Sequence, residues 1–248
     1  MEDGEILVNL GKVEQRIQTA CTRAGRRRDE VKLLLATKTV PAERIMVALR
    51  AGYTLLGENK VQEVKEKYEA LSALPHRMHF IGHLQTNKIK DVLKYGVSCV
   101  ESVDRLELAE KLHHRLSTEN RDLDILIQVN TSAESSKFGV EPAHALELVK
   151  AVSAFPTLHI RGLMTIGLFS AQADQVRPCF RLLKQVRQEV DALGLPNVAM
   201  HELSMGMSGD LETAIEEGAT IVRVGTAVFG KRVHPDSYYW PEAQGAQA

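Results

Sequence analysis

Three observations predict that the chain folds as a single (β/α)8 barrel, the TIM barrel of the α/β class. Eight short apolar runs follow one another from residue 31, and several are almost continuously apolar, as parallel strands covered on both faces are. Stretches with helical periodicity separate these runs, which indicates crossover helices. The chain has 248 residues, close to the size of about 250 that is usual for this barrel. An open, doubly wound parallel sheet is the competing fold.

The elements follow in a regular order along the chain. The barrel is expected to span residues 31–233. Before it, apolar residues that share one face of residues 5–24 predict an extra helix. The predicted strands are 31–37, 53–57, 78–82, 97–102, 123–130, 158–164, 198–204 and 220–225. Ser102 and Asp104 predict the start of the helix after the fourth strand, since both residue types favour helix starts. Helix ends are predicted at glycines that suit a left-handed residue, namely Gly52, Gly96, Gly194 and Gly218.

Composition and charge exclude several classes of protein. Lys and Arg number 31 and Asp and Glu number 32, a formal charge of -1, so no overall field favours nucleic acid or a membrane surface. No apolar run reaches the roughly 18 residues of a spanning helix, and the acidic start MEDGEILVNL is unlike a signal peptide. Three scattered cysteines indicate neither a disulfide framework nor a metal site, so we expect a cytoplasmic protein. Residues 234–248 indicate a frayed tail, and we expect one domain over 1–248.

Polar residues at the carboxyl ends of the predicted strands are the candidate site, because barrel enzymes build their active sites there. These residues are Lys38, Asn59, His83, Glu101, Ser102, Asn130, Thr165, Ser204 to Ser208 and Arg223 to Thr226. Lys38 directly follows the buried run LLLAT. Burial favours the neutral amine of a lysine, and such an amine can form a Schiff base with an aldehyde. The alternative is a lysine whose amine extends to the water at the barrel rim.

Two glycine-containing loops, SMGMSGD (204–210) and RVGTAVFG (223–230), follow the last two strands. Glycines let the backbone approach a ligand closely, and a helix after each loop leaves free amides pointing at the barrel mouth. Loops at this place often bind phosphate in such barrels. The residues concerned are Gly206, Gly209, Gly225, Ser204, Ser208 and Thr226. The alternative is ordinary turn glycines and helix-capping hydroxyls.

A ligand with both an aldehyde and a phosphate fits these two features together, and pyridoxal 5'-phosphate is the obvious cofactor of that kind. Arg223 precedes Gly225 by two residues, so both lie on one face of the last strand. The guanidinium is placed to reach the pyridine nitrogen and would keep it unprotonated, because arginine does not give up its proton in proteins. The alternative for Arg223 is an ion pair inside the barrel. A class I aldolase-like barrel, in which Lys38 attacks a sugar-phosphate carbonyl, is another hypothesis.

Several motifs resemble those of the pyridoxal phosphate homeostasis family, also called YggS-like or proline synthetase co-transcribed proteins. The matching stretches are LLLATKTVP (33–41), LLGENKVQE (55–63), HFIGHLQTNK (79–88), GLMTIG (162–167), ELSMGMSGDLETAIEEGAT (202–220) and VRVGTAVFG (222–230). They occur in order over nearly the whole chain. The resemblance implies a fold like the barrel domain of alanine racemase. Thr37 departs from the family by standing where a serine is common, and Lys60 by standing where an aromatic residue is common.

The resemblance also implies which residues hold the cofactor. It implies Lys38 as the Schiff-base lysine and Arg223 near the ring nitrogen. The other residues implied around the cofactor are Ser204, Gly225 and Thr226 at the phosphate, with Asn59 and Met205 nearby and His83 lining the site. For His83 a buried, satisfied histidine is the alternative. Lys137 is expected to be a solvated loop lysine, with a second aldehyde contact as the alternative, and the role of Lys60 stays open.

The expected function is binding without catalysis. A racemase needs an acid/base group on each face of the ring, and in alanine racemase a tyrosine from a C-terminal β-domain of a second subunit supplies one of them. Here we expect no such domain after Tyr238, Tyr239 and Trp240. We therefore expect a monomeric protein that buffers pyridoxal phosphate or delivers it to apo-enzymes. The alternative is a small amino-acid racemase that recruits a tail tyrosine or His83.

Overall fold

The strands pair in chain order and close the sheet on itself. The computed structural model describes residues 3–132, 134, 137–168, 170 and 172–230. Eight parallel strands form a closed barrel, in which the first strand also pairs with the eighth, with Leu34 opposite Arg223. The predicted barrel is confirmed, and the open sheet is excluded because it would leave two unpaired edges. Residues 231–233 of the predicted barrel and the predicted tail lie outside the described residues.

Each predicted strand overlaps an observed one, with ends that differ by at most two residues. The strands are β1 (Lys32–Ala36), β2 (Leu55–Glu58), β3 (Arg77–Phe80), β4 (Val97–Val103), β5 (Leu123–Gln128), β6 (Leu158–Met164), β7 (Val198–Ser204) and β8 (Ile221–Val224). They form because both faces of each strand are covered, so the apolar runs need no alternation.

Helices connect the strands and surround the barrel. Those of the described residues are α1 (Asp3–Arg23), α2 (Ala42–Arg50), α3 (Val61–Leu71), α4 (Ile89–Lys94), α5 (Leu106–Glu119), α6 (Pro142–Ser153), α7 (Ala173–Asp191), α8 (Leu211–Glu216) and α9 (Thr226–Phe229). Positive φ angles occur after four of them, as predicted, at Gly52, Gly96, Gly194 and Gly218. The predicted helix start at Ser102 is wrong. β4 continues to Val103, which pairs with Ile127 of β5, and α5 begins only at Leu106.

The predicted extra helix is confirmed as α1. Its buried stripe includes Ile6, Leu10, Val13 and Ile17, and the helix packs against α2, α8 and α9. The helix α1 therefore covers the helices that lie beside β8 and β1, the two strands whose pairing closes the sheet. In the part of the chain that the structure describes, none of the helices combines the length and apolar character needed to cross a bilayer.

Buried polar side chains gather toward the carboxyl ends of the strands, whereas the space between strands and helices is mostly apolar. The polar set comprises Thr37, Glu58, Asn59, His79, Glu101, Ser102, Gln128, Thr165, Ser204 and Arg223. Because every strand is parallel to its neighbours, all these strand ends face one rim of the barrel. Buried polar groups are costly unless they find partners, so this rim is where a functional site is expected.

Candidate functional site

Arg223 on β8 occupies the interior of the barrel near this rim. It is 5% exposed. Its Nη1 donates to Oγ of Ser204 at 2.7 Å, and its Nη2 donates to the carbonyl oxygen of Thr165 at 2.6 Å. Burial lowers the pKa of the Arg223 guanidinium, while the charges of Glu101 and Asp210 oppose that change. These contacts fix the plane of the guanidinium between the ends of β6, β7 and β8.

A chain of hydrogen bonds continues from Arg223 across the barrel. Ser204 Oγ donates to Oε2 of Glu101 at 2.6 Å, and Nδ1 of His79 lies 2.6 Å from Oε1 of the same carboxylate. Burial pushes the pKa of Glu101 upward, but the hydrogen bond and charge of His79, with Arg223 and Ser204, bring it below its usual value. Glu101 is therefore a carboxylate that accepts from His79 and balances the charge of Arg223. The ion pair considered for Arg223 thus takes an indirect form, through a serine hydroxyl.

Lys38 follows β1 at the rim, directly after the buried Thr37, and is itself half-buried. Because β1 pairs with β2 and β8, Lys38 lies between the strand ends that carry Asn59 and Arg223. Asn59 is 9% exposed, and its Oδ1 is buried without a hydrogen-bond partner among the described residues. Nε2 of His79 is likewise buried without a hydrogen-bond partner among the described residues. Orphaned buried polar atoms on two neighbouring strands are what a site for a polar ligand leaves unfilled.

The two glycine-containing loops come together as the sequence predicts. Oγ1 of Thr226 lies 3.4 Å from Oγ of Ser208, and α8 begins at Leu211, directly after the first loop. The second stretch is not a loop followed by a helix as predicted, because β8 extends to Val224 and α9 (Thr226–Phe229) begins within it, directly after Gly225. A Cβ on Gly225 would lie 2.8 Å from the carbonyl oxygen of Ala36, so only glycine lets these two strand ends approach. A Cβ on Gly209, by contrast, would enter open space. The loops therefore combine backbone packing at Gly225 with room for a ligand at Gly209.

Two residues that the resemblance implies near the cofactor have other contacts here. The hydroxyl of Ser204 is already engaged by Glu101 and Arg223, so it belongs to the interior chain of hydrogen bonds. Met205 is fully buried in the apolar core, and its backbone nitrogen donates to the carbonyl oxygen of Ile221. Ser204 thus orients Arg223, and the backbone of Met205 joins the residue after β7 to β8.

His83 and Lys137 lie on the opposite side of the rim, near the ends of β3 and β5. The ring of His83 stacks on Phe138 with centroids 3.9 Å apart, and its Nδ1 lies 3.6 Å from Oδ2 of Asp104. Nζ of Lys137 donates to the carbonyl oxygen of Gly167 at 2.6 Å, and the Lys137 side chain is only 14% exposed. The expectation of a solvated Lys137 is therefore wrong, because this carbonyl and Glu134 draw the amine inward.

Sequence reasoning missed part of this arrangement. The sequence pattern marks Glu101 only as one of the polar residues at strand ends, and it does not single out His79. The signal for both was available in the period of two, which places His79 and Glu101 on the interior faces of β3 and β4. Lys60 is exposed and directly precedes α3. Among the described residues, no three His, Cys, Asp or Glu side chains gather as they would around a metal ion.

The chain is similar to known proteins over most of its length. The family described as "Alanine racemase, N-terminal domain" matches residues 8–233. A pyridoxal phosphate homeostasis protein of Aquifex aeolicus is 48% identical over 223 residues, which cover 90% of this chain and 96% of the relative.

Two solved structures are similar over most of their length. An unknown protein from Bifidobacterium adolescentis has 41% identity and a TM-score of 0.87, with 92% of this chain and 95% of that one covered. PipY of Synechococcus elongatus PCC7942, with PLP bound, has 31% identity and a TM-score of 0.76, with 87% of this chain and 100% of that one covered.

Proposed function

The chain belongs to the family of pyridoxal phosphate homeostasis proteins, and from that premise we propose that it binds pyridoxal 5'-phosphate without catalysing a reaction on it. In this proposal the protein buffers the cofactor in the cytoplasm or delivers it to apo-enzymes that use it. The observation that carries the proposal is that Lys38, at the end of β1, lies at the same rim as Arg223 on the neighbouring strand. The protein itself holds the guanidinium of Arg223 by two hydrogen bonds. PLP bound to the relative PipY supports the choice of ligand.

Lys38 is the residue proposed to hold the cofactor covalently. When bound, pyridoxal phosphate supplies an aldehyde and an electron-withdrawing ring. The ε-amine of Lys38 adds to the aldehyde carbon, the carbonyl oxygen leaves as water, and a C=N bond joins the lysine to the ligand. The half-buried position of Lys38 at the rim, directly after a buried strand, supports this role.

The loops after β7 and β8 are proposed to hold the phosphate. Thr226 and Ser208 bring two hydroxyls together there, and Gly209 faces open space. Backbone amides at the starts of α8 and α9 add donors for an anion. Asn59, with its orphaned Oδ1, and His83 complete the proposed lining of the site.

Arg223 is the reason for proposing binding without catalysis. A guanidinium facing the ring nitrogen leaves that nitrogen unprotonated, because arginine retains its proton. An unprotonated ring stabilises a carbanion poorly, so turnover of amino acids is disfavoured. Glu101, held through Ser204, keeps Arg223 paired with a negative charge and so supports a permanently charged guanidinium.

The test separates a carrier from an enzyme. Protein loaded with pyridoxal phosphate is incubated with alanine, serine and glutamate while optical rotation and keto-acid release are followed. In parallel, the loaded protein is mixed with an apo-aminotransferase, and recovered activity is compared with that given by free cofactor. We expect reactivation without substantial turnover, since a ring whose nitrogen stays unprotonated stabilises a carbanion poorly. Rapid racemisation would instead establish the alternative, a small amino-acid racemase.

A further inference from the structure

The backbone directly after Lys38 has an unusual conformation. Thr39 has a φ of 65°, in the left-handed region. A β-branched residue is rarely found there, because its side chain crowds the backbone. Such a conformation persists only where the surroundings hold it, and it occurs most often at functional sites. The contacts that hold Thr39 therefore bear on the neighbouring Lys38.

Two side chains of α3 form hydrogen bonds with the backbone on both sides of Lys38. The amide nitrogen of Thr39 donates to Oε2 of Glu63 at 2.5 Å. Nζ of Lys67 donates to the carbonyl oxygen of Thr37 at 2.9 Å. Lys67 and Glu63 also pair with each other, with Nζ 2.8 Å from Oε2. The residues before and after Lys38 are thus tied into one ring of hydrogen bonds that closes through two side chains of α3.

The inner end of this ring is anchored in the core. Nζ of Lys67 also donates to Oε1 of Glu58 at 2.7 Å, and the hydroxyl of Thr37 donates to the same oxygen at 2.7 Å. Lys67 is 8% exposed, and Thr37 and Glu58 are fully buried. Three acceptors satisfy the three donors of the ammonium group. Lys67 therefore cannot turn away without leaving buried groups unpaired.

We propose that Glu63 and Lys67 are positioning residues that set the direction of the Lys38 side chain. The proposal rests on the proposed function of Lys38 as the cofactor lysine. Fixing the carbonyl of residue 37 and the amide of residue 39 restricts the dihedral angles on both sides of Lys38. Its Cα–Cβ bond then points one way before the ligand arrives. A preorganised amine forms the C=N bond with less loss of entropy than a mobile one does.

The experiment compares two kinds of ligand in matched variants. Pyridoxal phosphate binding is titrated by the absorbance of the C=N bond, and pyridoxine 5'-phosphate, which lacks the aldehyde, reports binding without that bond. Glu63→Ala removes the acceptor for Thr39, while Glu63→Gln keeps a side-chain carbonyl there. Glu66→Ala, at an exposed position of the same helix, removes the same charge and is the control.

We expect Glu63→Ala to weaken imine formation at least about tenfold, with pyridoxine phosphate affinity changed less than about twofold. Glu63→Gln is expected to retain most of the wild-type behaviour, and Glu66→Ala all of it. Thr39→Gly provides a second background, because glycine adopts a positive φ without strain. In that background the loss caused by Glu63→Ala is expected to be smaller, as a double-mutant cycle measures.

The outcomes distinguish this proposal from the function on which it rests. If the wild-type protein forms no imine at Lys38, the proposed function fails, and the positioning role fails with it. If the wild-type protein forms the imine and Glu63→Ala behaves like Glu66→Ala, only the positioning role is overturned. An equal loss for both ligands in Glu63→Ala also overturns it, since that result would indicate general damage to the site.

Discussion

At the scale of single residues, the site depends on a buried serine that serves two charged neighbours. Ser204 accepts from Arg223 and donates to Glu101, so a single hydroxyl satisfies one atom of each group. Hydrogen bonds to charged groups contribute more than neutral ones, and unpaired buried charges are costly. The fixed orientation of Arg223 therefore depends on one side chain at the end of β7, together with the carbonyl oxygen of Thr165.

Ser204→Ala tests this dependence. The substitution leaves Nη1 of Arg223 and Oε2 of Glu101 without their hydrogen bonds in a buried place, so we expect it to reduce the free energy of unfolding by about 1–3 kcal/mol. Ser208→Ala, in the half-exposed loop nearby, is the control and should change it by less than about 0.5 kcal/mol. Urea denaturation measures both. Equal effects of the two substitutions would show that the Ser204 hydroxyl between Arg223 and Glu101 contributes little to the free energy of unfolding.

Glu58 gives a prediction about pH. Burial raises its pKa to about 7, against the opposing effect of Lys67. In the unfolded chain the carboxyl titrates near its ordinary value of 4.5. The folded state therefore binds more protons between these values. The stability that this group contributes is full below pH 4.5 and is lost as the pH rises through about 7.

We expect the free energy of unfolding of the wild type, relative to Glu58→Gln, to fall by up to about 3 kcal/mol as the pH rises across that window. Denaturation of both proteins at several pH values between 4.5 and 8 gives the two curves. Groups other than Glu58 cancel in the difference to the extent that they are independent of it. Parallel curves would contradict the assigned pKa.

At the scale of elements, the sequence predicts the barrel well and the polar contacts poorly. The strands are predictable because runs such as the one before Lys38 are apolar throughout, which parallel strands in a barrel require. The start of α5 is not predictable in this way. Ser102 and Asp104 favour a helix start locally, whereas in the structure Val103 pairs with β5. Pairing between distant segments overrides the local preference at that point.

Contacts between elements explain what sequence reasoning missed at the site. Lys67 on α3, Glu58 on β2 and Thr37 after β1 meet only when the barrel closes, and no local pattern announces their meeting. The positive φ of Thr39 has no signal in its residue type either. Gly225, in contrast, was predictable, because a glycine between a strand and a helix at this rim suits a close approach.

Gly225→Ala tests that close approach. The added Cβ would lie 2.8 Å from the carbonyl oxygen of Ala36, a backbone atom that moves only with β1. We expect a loss of about 1–3 kcal/mol of stability from this overpacking. Gly209→Ala places its Cβ in open space and should change stability by less than about 0.5 kcal/mol. Thermal unfolding of the two apo-proteins compares them, and a stable Gly225→Ala variant would contradict the packing argument.

At the scale of the whole molecule, the barrel brings residues from both ends of the chain to one rim. Lys38 follows β1, and Thr226 follows β8, which is the neighbour of β1 in the closed sheet. Closure of the sheet therefore creates the proposed site, with the covalent anchor and the phosphate loops on adjacent strand ends. An open sheet of the same strands would separate them.

The phosphate is expected to supply much of the affinity. Each hydrogen bond to a charged group contributes roughly 1.5–3 kcal/mol, so pyridoxal should bind at least about tenfold more weakly than its phosphate. Thr226→Val removes one hydroxyl while keeping the side-chain shape, and it should reduce that difference. Calorimetric titration of both ligands into both proteins measures the effect. Equal affinities of the wild-type protein for pyridoxal and its phosphate would rule out the assignment of the loops.

The most direct test of the central claim is the location of the covalent bond. The protein is loaded with pyridoxal phosphate and reduced with borohydride, and the modified peptide is identified by mass spectrometry. We predict modification at Lys38, and loss of both the visible band and the labelling in Lys38→Ala, which still binds the ligand through the phosphate loops. Labelling of Lys137 or Lys60 instead, or labelling unchanged in Lys38→Ala, would contradict the account.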